Sequence, residues 1–258
     1  MKKFFKYIIS AIIVAIIVVI SFFLFKRFSM RLDSINERKE INTFYMESLT
    51  DKKENVVEKL REKYGNNEII KFLEVTNTNI KYPVAFSGDN EFYLNHGYDK
   101  GYDINGALFI DEESLNSRNL IIYGHRMSSG TMFNELPKLL DKDKAKSSVI
   151  RLFDEYGNSK EFRVFSVFRV PADFDYRKCN FINDEDFALY VERLKDASEF
   201  DLERDLEGIG EILTLSTCTY EQKNFRLVVV CYPIGSWDRS YKERLWIIQK
   251  SEKYAKKY

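Results

Sequence analysis

The stretch EILTLSTCTYEQKNFRLVVVCY, residues 211–232, alternates apolar and polar side chains on both sides of a short polar segment. This pattern predicts two strands joined by a turn. In the first strand Leu213 and Leu215 share one face, and the opposite face becomes polar towards Cys218 at the strand end. Arg226 begins the second strand. The turn is therefore expected to bring the guanidinium back to the thiol.

The three cysteines differ in what their surroundings predict. A thiol at a strand end can act as a nucleophile, because neighbouring cations favour its thiolate form. A free cysteine is as often a small buried residue, so for Cys218 both interpretations stay open. Cys231 lies in a valine-rich strand, which favours burial, and Cys179 is interpreted as an incidental loop thiol that its two basic neighbours activate only mildly. The odd count without a CxxC pair excludes a disulfide framework and a zinc site.

The two histidines occupy different settings. His125 follows an apolar strand that ends at Gly124, a position from which a side chain can reach a site built from loops or can be merely structural. His96 lies in a turn-rich loop and is interpreted as a surface residue. A cysteine and a histidine at separate strand ends form the pair that cysteine-dependent acyl transfer requires. Arg226, by itself an ordinary solvent-facing arginine, could stabilise the charge that builds on the attacked carbonyl oxygen.

Composition and the N-terminus bound the class of protein. The chain has 258 residues, and its 40 basic and 40 acidic side chains are spread along it, which gives no electrostatic reason to expect nucleic acid as a partner. Residues 7–25 are uncharged, and a run of about 20 apolar residues crosses a bilayer core. This run is too long for a cleavable signal peptide, so we interpret it as an uncleaved membrane anchor rather than a buried core helix. Basic residues flank both ends, so charge alone does not decide its orientation.

The segment after the anchor has helical periodicity. Residues 28 to about 74 are predicted to form a stalk that holds the following domain clear of the membrane, with some packing onto that domain. Asp51 and Glu54 resemble a capping box, and Gly65 resembles a helix stop.

From about residue 76 the sequence changes to short strands and turns. Gly157 and Asn158 mark a hairpin turn, and Asn183 is predicted to cap a helix at 184–197. Residues 240–258 are predicted to form a short helix or tail. Many short strands with one inserted helix favour a barrel or a sandwich. The predicted strands cover 81–86, 91–95, 107–110, 119–123, 148–153, 160–170, 211–217 and 225–232.

The strand end TLSTC, the following RLVVV and the upstream IIYGHRM together resemble the signature of the sortases, the cysteine transpeptidases of Gram-positive cell surfaces. The histidine stands 93 positions before the cysteine, and the arginine stands 8 positions after it. The likeness covers roughly residues 76–235, and within the family it is to class B. It implies a mainly β fold with helices: a closed barrel of about eight strands, N-terminal helices and one helix inserted before the cysteine strand.

The resemblance also implies chemistry. Cys218 would attack a threonyl carbonyl in the C-terminal sorting signal of a secreted protein, and an amine of a peptidoglycan precursor would release the thioacyl intermediate. His125 would act as general acid and base, and Arg226 would hold the substrate and its oxyanion. No metal and no cofactor are implied. The implied neighbours in the substrate pocket are Ser216, Thr217 and Tyr123.

The resemblance divides the chain into a short cytoplasmic end with the transmembrane anchor (1–27), N-terminal helices (28–75) and a catalytic barrel (76–258). Because the substrate reaches the enzyme tethered to the membrane after secretion, the N-terminus is expected inside the cell and the catalytic domain outside. Two other functions remain open. A cysteine hydrolase would use the same residues with water as the acceptor, and a surface binding module would not use them catalytically.

Overall fold

Eight strands close into a barrel in the computed structural model, which describes residues 2–50, 55–127, 129–218 and 224–234. The closed barrel confirms the predicted fold class. The strands are β1 Ile69–Val75, β2 Lys81–Ala85, β3 Leu108–Ile110, β4 Asn119–Tyr123, β5 Val149–Asp154, β6 Ser159–Pro171, β7 Ile212–Cys218 and β8 Phe225–Pro233. Around the barrel they run β1-β2-β3-β4-β7-β8-β6-β5.

Strand direction decides which residues meet at each end of the barrel. Strands β4 and β7 are parallel, with Tyr123 opposite Ser216, so both end at the same end of the barrel. Strand β8 is antiparallel to β7 and therefore begins there, with Arg226 opposite Cys218. This end consequently collects the residues after β4, at the end of β7 and at the start of β8.

The alternation along β7 separates two cores. Leu213 and Leu215 are fully buried in the cluster that includes the barrel interior, whereas Ile212 belongs to a second cluster with the apolar face of the inserted helix. That helix caps as predicted, since the Asn183 side chain accepts a hydrogen bond from the Asp186 amide. Its first turn is acidic and its last turn basic, which suits the helix dipole. The helices are α1 Lys2–Thr50, α2 Val56–Tyr64, α3 Lys142–Ser147 and α4 Asp184–Asp196.

Helix α1 packs against the barrel with its second half. Ile41 and Tyr45 are fully buried, and the Tyr45 ring stacks on Phe72 of β1 with the ring centroids 4.9 Å apart. Nearer the anchor, the Ser34 hydroxyl accepts a hydrogen bond of 2.7 Å from the Asn105 side chain. The apolar positions of this segment therefore pack against the barrel, as the sequence leads us to expect, and a stalk that holds the domain clear of the membrane stays a prediction.

Two predicted elements differ from the structure. The helical prediction to about residue 74 is wrong at its end, because Gly65 adopts a left-handed φ of 59° that ends α2, and β1 follows from Ile69. The predicted strand 91–95 contains a short 3₁₀ helix, Phe92–Leu94. The Asp89 carboxylate favours this turn over a strand, because it accepts hydrogen bonds from the backbone amides of Glu91 and Phe92.

Some of the remaining predictions concern turns and helix caps that the structure describes, and others fall outside the described residues. The hairpin turn is confirmed, with a φ of 81° at Gly157. Helix α2 is capped by Asn55, whose side chain accepts from the Val57 amide. The predicted capping box of Asp51 and Glu54, the turn at 219–223 and the C-terminal helix or tail at 240–258 lie outside the described residues.

Candidate active site

His125 lies immediately past β4, as the sequence predicts, and Gly124 makes this position possible. A Cβ added at Gly124 would lie 2.1 Å from Leu108 and 2.8 Å from Phe133, so a larger residue would displace the buried side chains beneath it. The His125 Nε2–H donates to the Leu94 carbonyl oxygen at 2.7 Å. In a neutral ring, Nδ1 is then the nitrogen that can accept a proton.

Cys218 and Arg226 face each other across the β7–β8 ladder, where their Cα atoms are register partners. The described part of Cys218 is its backbone. Arg226 is half-buried, and its Nη1 donates to the Phe225 carbonyl oxygen at 3.2 Å. Within the described part of the chain, no carboxylate lies within ion-pair distance of this guanidinium. Among the described residues, the guanidinium therefore keeps donors for a ligand beside the strand end where the cysteine stands.

A cleft of about 210 Å³ opens at this end of the barrel, and we call it the candidate cleft. The sequence-predicted side chains that line it are His125, Arg226, Ser216, Thr217 and Tyr123. Thr217 Oγ1 is buried and has no hydrogen-bond partner among the described residues. An acceptor or donor on a ligand could satisfy it.

The wall beyond Ser216 comes from the loop between β6 and β7. The Tyr176 hydroxyl lies 2.9 Å from Ser216 Oγ, and Arg177 follows it in the lining of the candidate cleft. Sequence reasoning treats Arg177 only as a basic neighbour of Cys179. An irregular loop has no periodic pattern from which its packing against a strand could be predicted.

A buried carboxylate behind the candidate cleft holds part of its wall in place. The Tyr123 hydroxyl donates to Asp111 at 3.0 Å, and the Asn90 side chain donates to the same oxygen at 3.1 Å. Burial first, and then Tyr176 and Asp111, raise the pKa of Tyr123 above its ordinary value, so it stays a neutral donor. Burial alone would lower the pKa of Arg177, but the Tyr123 phenol and then the other acidic groups nearby raise it. Arg177 therefore remains a cation in the cleft.

The other two cysteines are buried. Burial raises the pKa of Cys179 to about 11, and its Sγ donates to the Arg177 carbonyl oxygen. The expected mild activation of Cys179 by its basic neighbours is therefore wrong, because desolvation outweighs them. Burial also raises the pKa of Cys231, which is fully enclosed in β8 as the sequence predicts.

His96 lies outside this cleft. Its ring stacks on Phe92 with the centroids 4.2 Å apart, and its Nδ1 lies 2.8 Å from the Phe92 carbonyl oxygen. It is half-buried and shapes the loop that precedes β3.

Comparison with known proteins connects this geometry to a family. The family model described as the sortase domain matches residues 73–234. The chain is 33% identical over 160 residues to sortase B of Listeria monocytogenes, covering 61% of this chain but only 65% of that protein's length. It is 29% identical over 170 residues to sortase B of Staphylococcus aureus, covering 64% of this chain and 70% of that protein. Among solved structures, sortase B of Clostridium perfringens superposes with a TM-score of 0.62 at 32% identity, covering 69% of this chain and 98% of that one.

Proposed function

The chain belongs to the sortase family, in its class B, and on that premise we propose that it is a membrane-anchored cysteine transpeptidase. Its substrates are secreted proteins with a C-terminal sorting signal, which it cleaves after a threonine and joins to a peptidoglycan amine. The observation that carries the proposal is the candidate cleft itself. His125 and Arg226 line it, and the cysteine strand ends beside it.

In the first half of the reaction, the Cys218 thiolate attacks the threonyl carbonyl carbon. Negative charge builds on the carbonyl oxygen, and the Arg226 guanidinium stabilises it. The carbon–nitrogen bond then breaks, and the departing amine takes a proton from His125. The product is a thioester between Cys218 and the threonine.

In the second half, an amine of the peptidoglycan precursor attacks the thioester carbon. His125 accepts the proton that the amine loses, and the carbon–sulfur bond breaks to return the cysteine thiolate. One further feature of the candidate cleft supports this order of reaction steps. No carboxylate is among its described lining residues, so its net positive character favours a developing oxyanion.

We also propose that α1 crosses the membrane once, with the N-terminus in the cytoplasm and the barrel outside. The most apolar window of α1 has a mean hydropathy of 2.8, and none of it is buried against the protein. Its large apolar side chains, such as Ile12 and Val18, are more than half exposed. In water this surface would be unfavourable, whereas in a bilayer it is solvated by lipid.

Mass spectrometry of the intact protein tests the proposed reaction. The full chain is incubated with a panel of threonine-containing sorting peptides, with and without a peptidoglycan-type amine. We expect a thioacyl adduct on Cys218 that the amine discharges as a new amide product. A Cys218→Ala variant should form no adduct, whereas Cys179→Ala, which removes a buried thiol, should behave like the parent.

Two results would contradict the transpeptidase. Release of the free acid at an amine-independent rate would indicate a cysteine hydrolase that uses the same residues. Absence of any adduct, together with unchanged peptide binding by Cys218→Ala, would indicate a surface binding module.

A further inference from the structure

A second cavity lies where the anchor helix meets the catalytic domain. It has a volume of about 870 Å³, and α1 residues 23–31 line one side of it. The opposite side is formed by Tyr102 and Ile104, from the loop before β3, and by Met127, two residues after His125. We call it the juxtamembrane groove. Nothing in the proposed transpeptidase reaction uses it.

The position of the juxtamembrane groove along α1 fixes its depth. The uncharged run ends at Phe25, and a helix rises about 1.5 Å per residue, so Arg31 stands about 9 Å beyond the run. The headgroup layer on each side of the hydrocarbon core is about 5–7 Å thick. With the run in the hydrocarbon core, the groove lies in or directly against that layer.

The catalytic domain cannot move far from this depth, because it is tied to α1 close by. Asn105 donates to Ser34, and the Arg38 guanidinium donates to the Gly130 carbonyl oxygen at 2.8 Å. The first of these contacts stands only nine residues beyond Phe25. The loop surface that faces the groove is therefore held at the bilayer surface.

The chemistry of the juxtamembrane groove matches this environment. Tyr102 and Ile104 are 78% and 55% exposed, which is unfavourable in water for two neighbouring large side chains. The helix side carries Lys26, Arg27 and Arg31, which complement lipid phosphates. Tyrosine, with an apolar ring and a polar hydroxyl, is enriched at membrane interfaces.

Acidic side chains in the same loop are engaged by the loop itself. Asp99 accepts a hydrogen bond from the Gly101 amide, and Asp103 accepts from the Asn105 amide and side chain. They shape the loop, and Asp103 is half-buried. Neither carboxylate is among the described residues that line the juxtamembrane groove, whereas the three cations of the helix side are.

We propose that the juxtamembrane groove seats phospholipids of the bilayer that α1 crosses, with Tyr102 and Ile104 inserted among the headgroups. This inference rests on the proposed membrane anchor. It gives the catalytic domain a second, peripheral attachment that fixes its orientation. The same loops reach the candidate cleft, since Leu94 holds His125 and Met127 follows it. Lipid seating would therefore also orient the cleft relative to the membrane.

Site-specific photocrosslinking in vesicles tests the proposal. The full chain, with Tyr102 replaced by p-benzoylphenylalanine, is reconstituted into phosphatidylglycerol–phosphatidylcholine vesicles and irradiated, and adducts are identified by mass. We expect phospholipid adducts at position 102. The matched control carries the same replacement at Tyr156, a tyrosine 81% exposed near Asn55, beyond the far end of α1, and should give about tenfold fewer.

A second measurement distinguishes failure of the groove proposal from failure of the proposed membrane anchor. Alkaline carbonate extraction reports whether α1 is inserted. Resistance to extraction with no more lipid adduct at 102 than at 156 overturns the groove proposal and leaves the anchor. Release of the protein by carbonate overturns both. Crosslinks from position 102 to a second copy of the chain, in place of lipid, also overturn the groove proposal.

A substitution in the groove provides a second test. An Ile104→Glu variant should reduce the lipid adducts about tenfold, whereas Ile182→Glu, at an isoleucine that is 92% exposed elsewhere on the protein, should not.

Discussion

Charged side chains in two regions of this molecule are treated in opposite ways. Where α1 packs on the barrel, Glu74 and Arg151 are less than a tenth exposed and bonded at 2.8 Å. Tyr45 of α1 donates to Glu74 at 2.8 Å, and Arg151 also donates to Glu161 at 2.9 Å. We call this network the seam. In the candidate cleft, by contrast, no carboxylate is among the described lining residues.

The difference separates structural charges from those available to a ligand. Moving a charge out of water is costly, so a buried ion is tolerated only when the protein supplies its partners, as the seam does. A half-exposed arginine keeps some hydration and some free donors, and a substrate can take them over. Loss of a seam charge should therefore reduce stability, whereas loss of a cleft charge should reduce activity.

The largest effect is expected in the seam. Replacing Arg151 with alanine leaves the Glu74 carboxylate buried without its main cation, and we expect a loss of about 3–5 kcal/mol in the free energy of unfolding. Denaturant unfolding measures it. The matched control is Arg169→Ala, on β6, where the pair with Glu199 is more than 30% exposed on both sides. It should cost about 0–1 kcal/mol. Equal losses for both variants would contradict the distinction.

The next effect belongs to the candidate cleft. Arg226→Lys keeps the charge but loses the planar fork of donors, so we expect kcat/KM for transpeptidation to fall by about 10²–10³, with the unfolding free energy nearly unchanged. Arg169→Lys serves as the control for the change of side chain. Near-normal turnover of Arg226→Lys would show that the guanidinium is not needed for the reaction. A large loss of stability would show that the role of Arg226 is structural.

A smaller effect is expected at the helix side of the seam. Tyr45→Phe keeps the ring that stacks on Phe72 and removes only the hydroxyl that donates to Glu74. A hydrogen bond to a charged group contributes about 1.5–3 kcal/mol, and we expect a loss in that range. Tyr156→Phe, at an exposed tyrosine, should change the unfolding free energy by less than about 0.5 kcal/mol. An unchanged unfolding midpoint for Tyr45→Phe would show that the Tyr45 hydroxyl does not contribute to holding α1 on the barrel.

The sequence predicts those features that depend on local pattern. Alternation along 211–217 and 225–232 identifies β7 and β8, and the Asn183 cap with its apolar face identifies α4. His125 and Arg226 can be proposed because a residue at a strand end projects towards loops, and the structure brings both to one cleft. Pattern and position are sufficient for this much.

Features that depend on contacts between distant segments could not be predicted. The spacing of Ile41 and Tyr45 indicates an apolar helix face. The local sequence does not indicate that this face packs on β1 or that Tyr45 donates a hydrogen bond to Glu74. Arg177 belongs to an irregular loop, and its role in the cleft wall follows only from packing against Tyr123. Burial likewise raises the pKa of Cys179, whereas its basic neighbours in the sequence suggest a lowered pKa.

Arg177 lies between the two extremes and gives the sharpest test of the comparison. It is partly satisfied by Tyr123 and the buried Asp111, yet it lines the cleft as Arg226 does. If it serves the substrate, Arg177→Gln should lower kcat/KM by about tenfold, mainly through KM, because a cation at the wall contributes to binding in ground and transition states alike. The effect should weaken in high salt.

The reverse pattern would assign Arg177 to the structure. A loss of more than about 2 kcal/mol in unfolding free energy with KM unchanged would mean that it serves Asp111 in the way that Arg151 serves Glu74. Tyr123→Phe provides the matched variant, since it removes the hydroxyl between Arg177 and Asp111 without removing a charge. If Arg177 binds substrate, the two changes should alter KM independently. If it is structural, combining them should cost little more than the larger single loss.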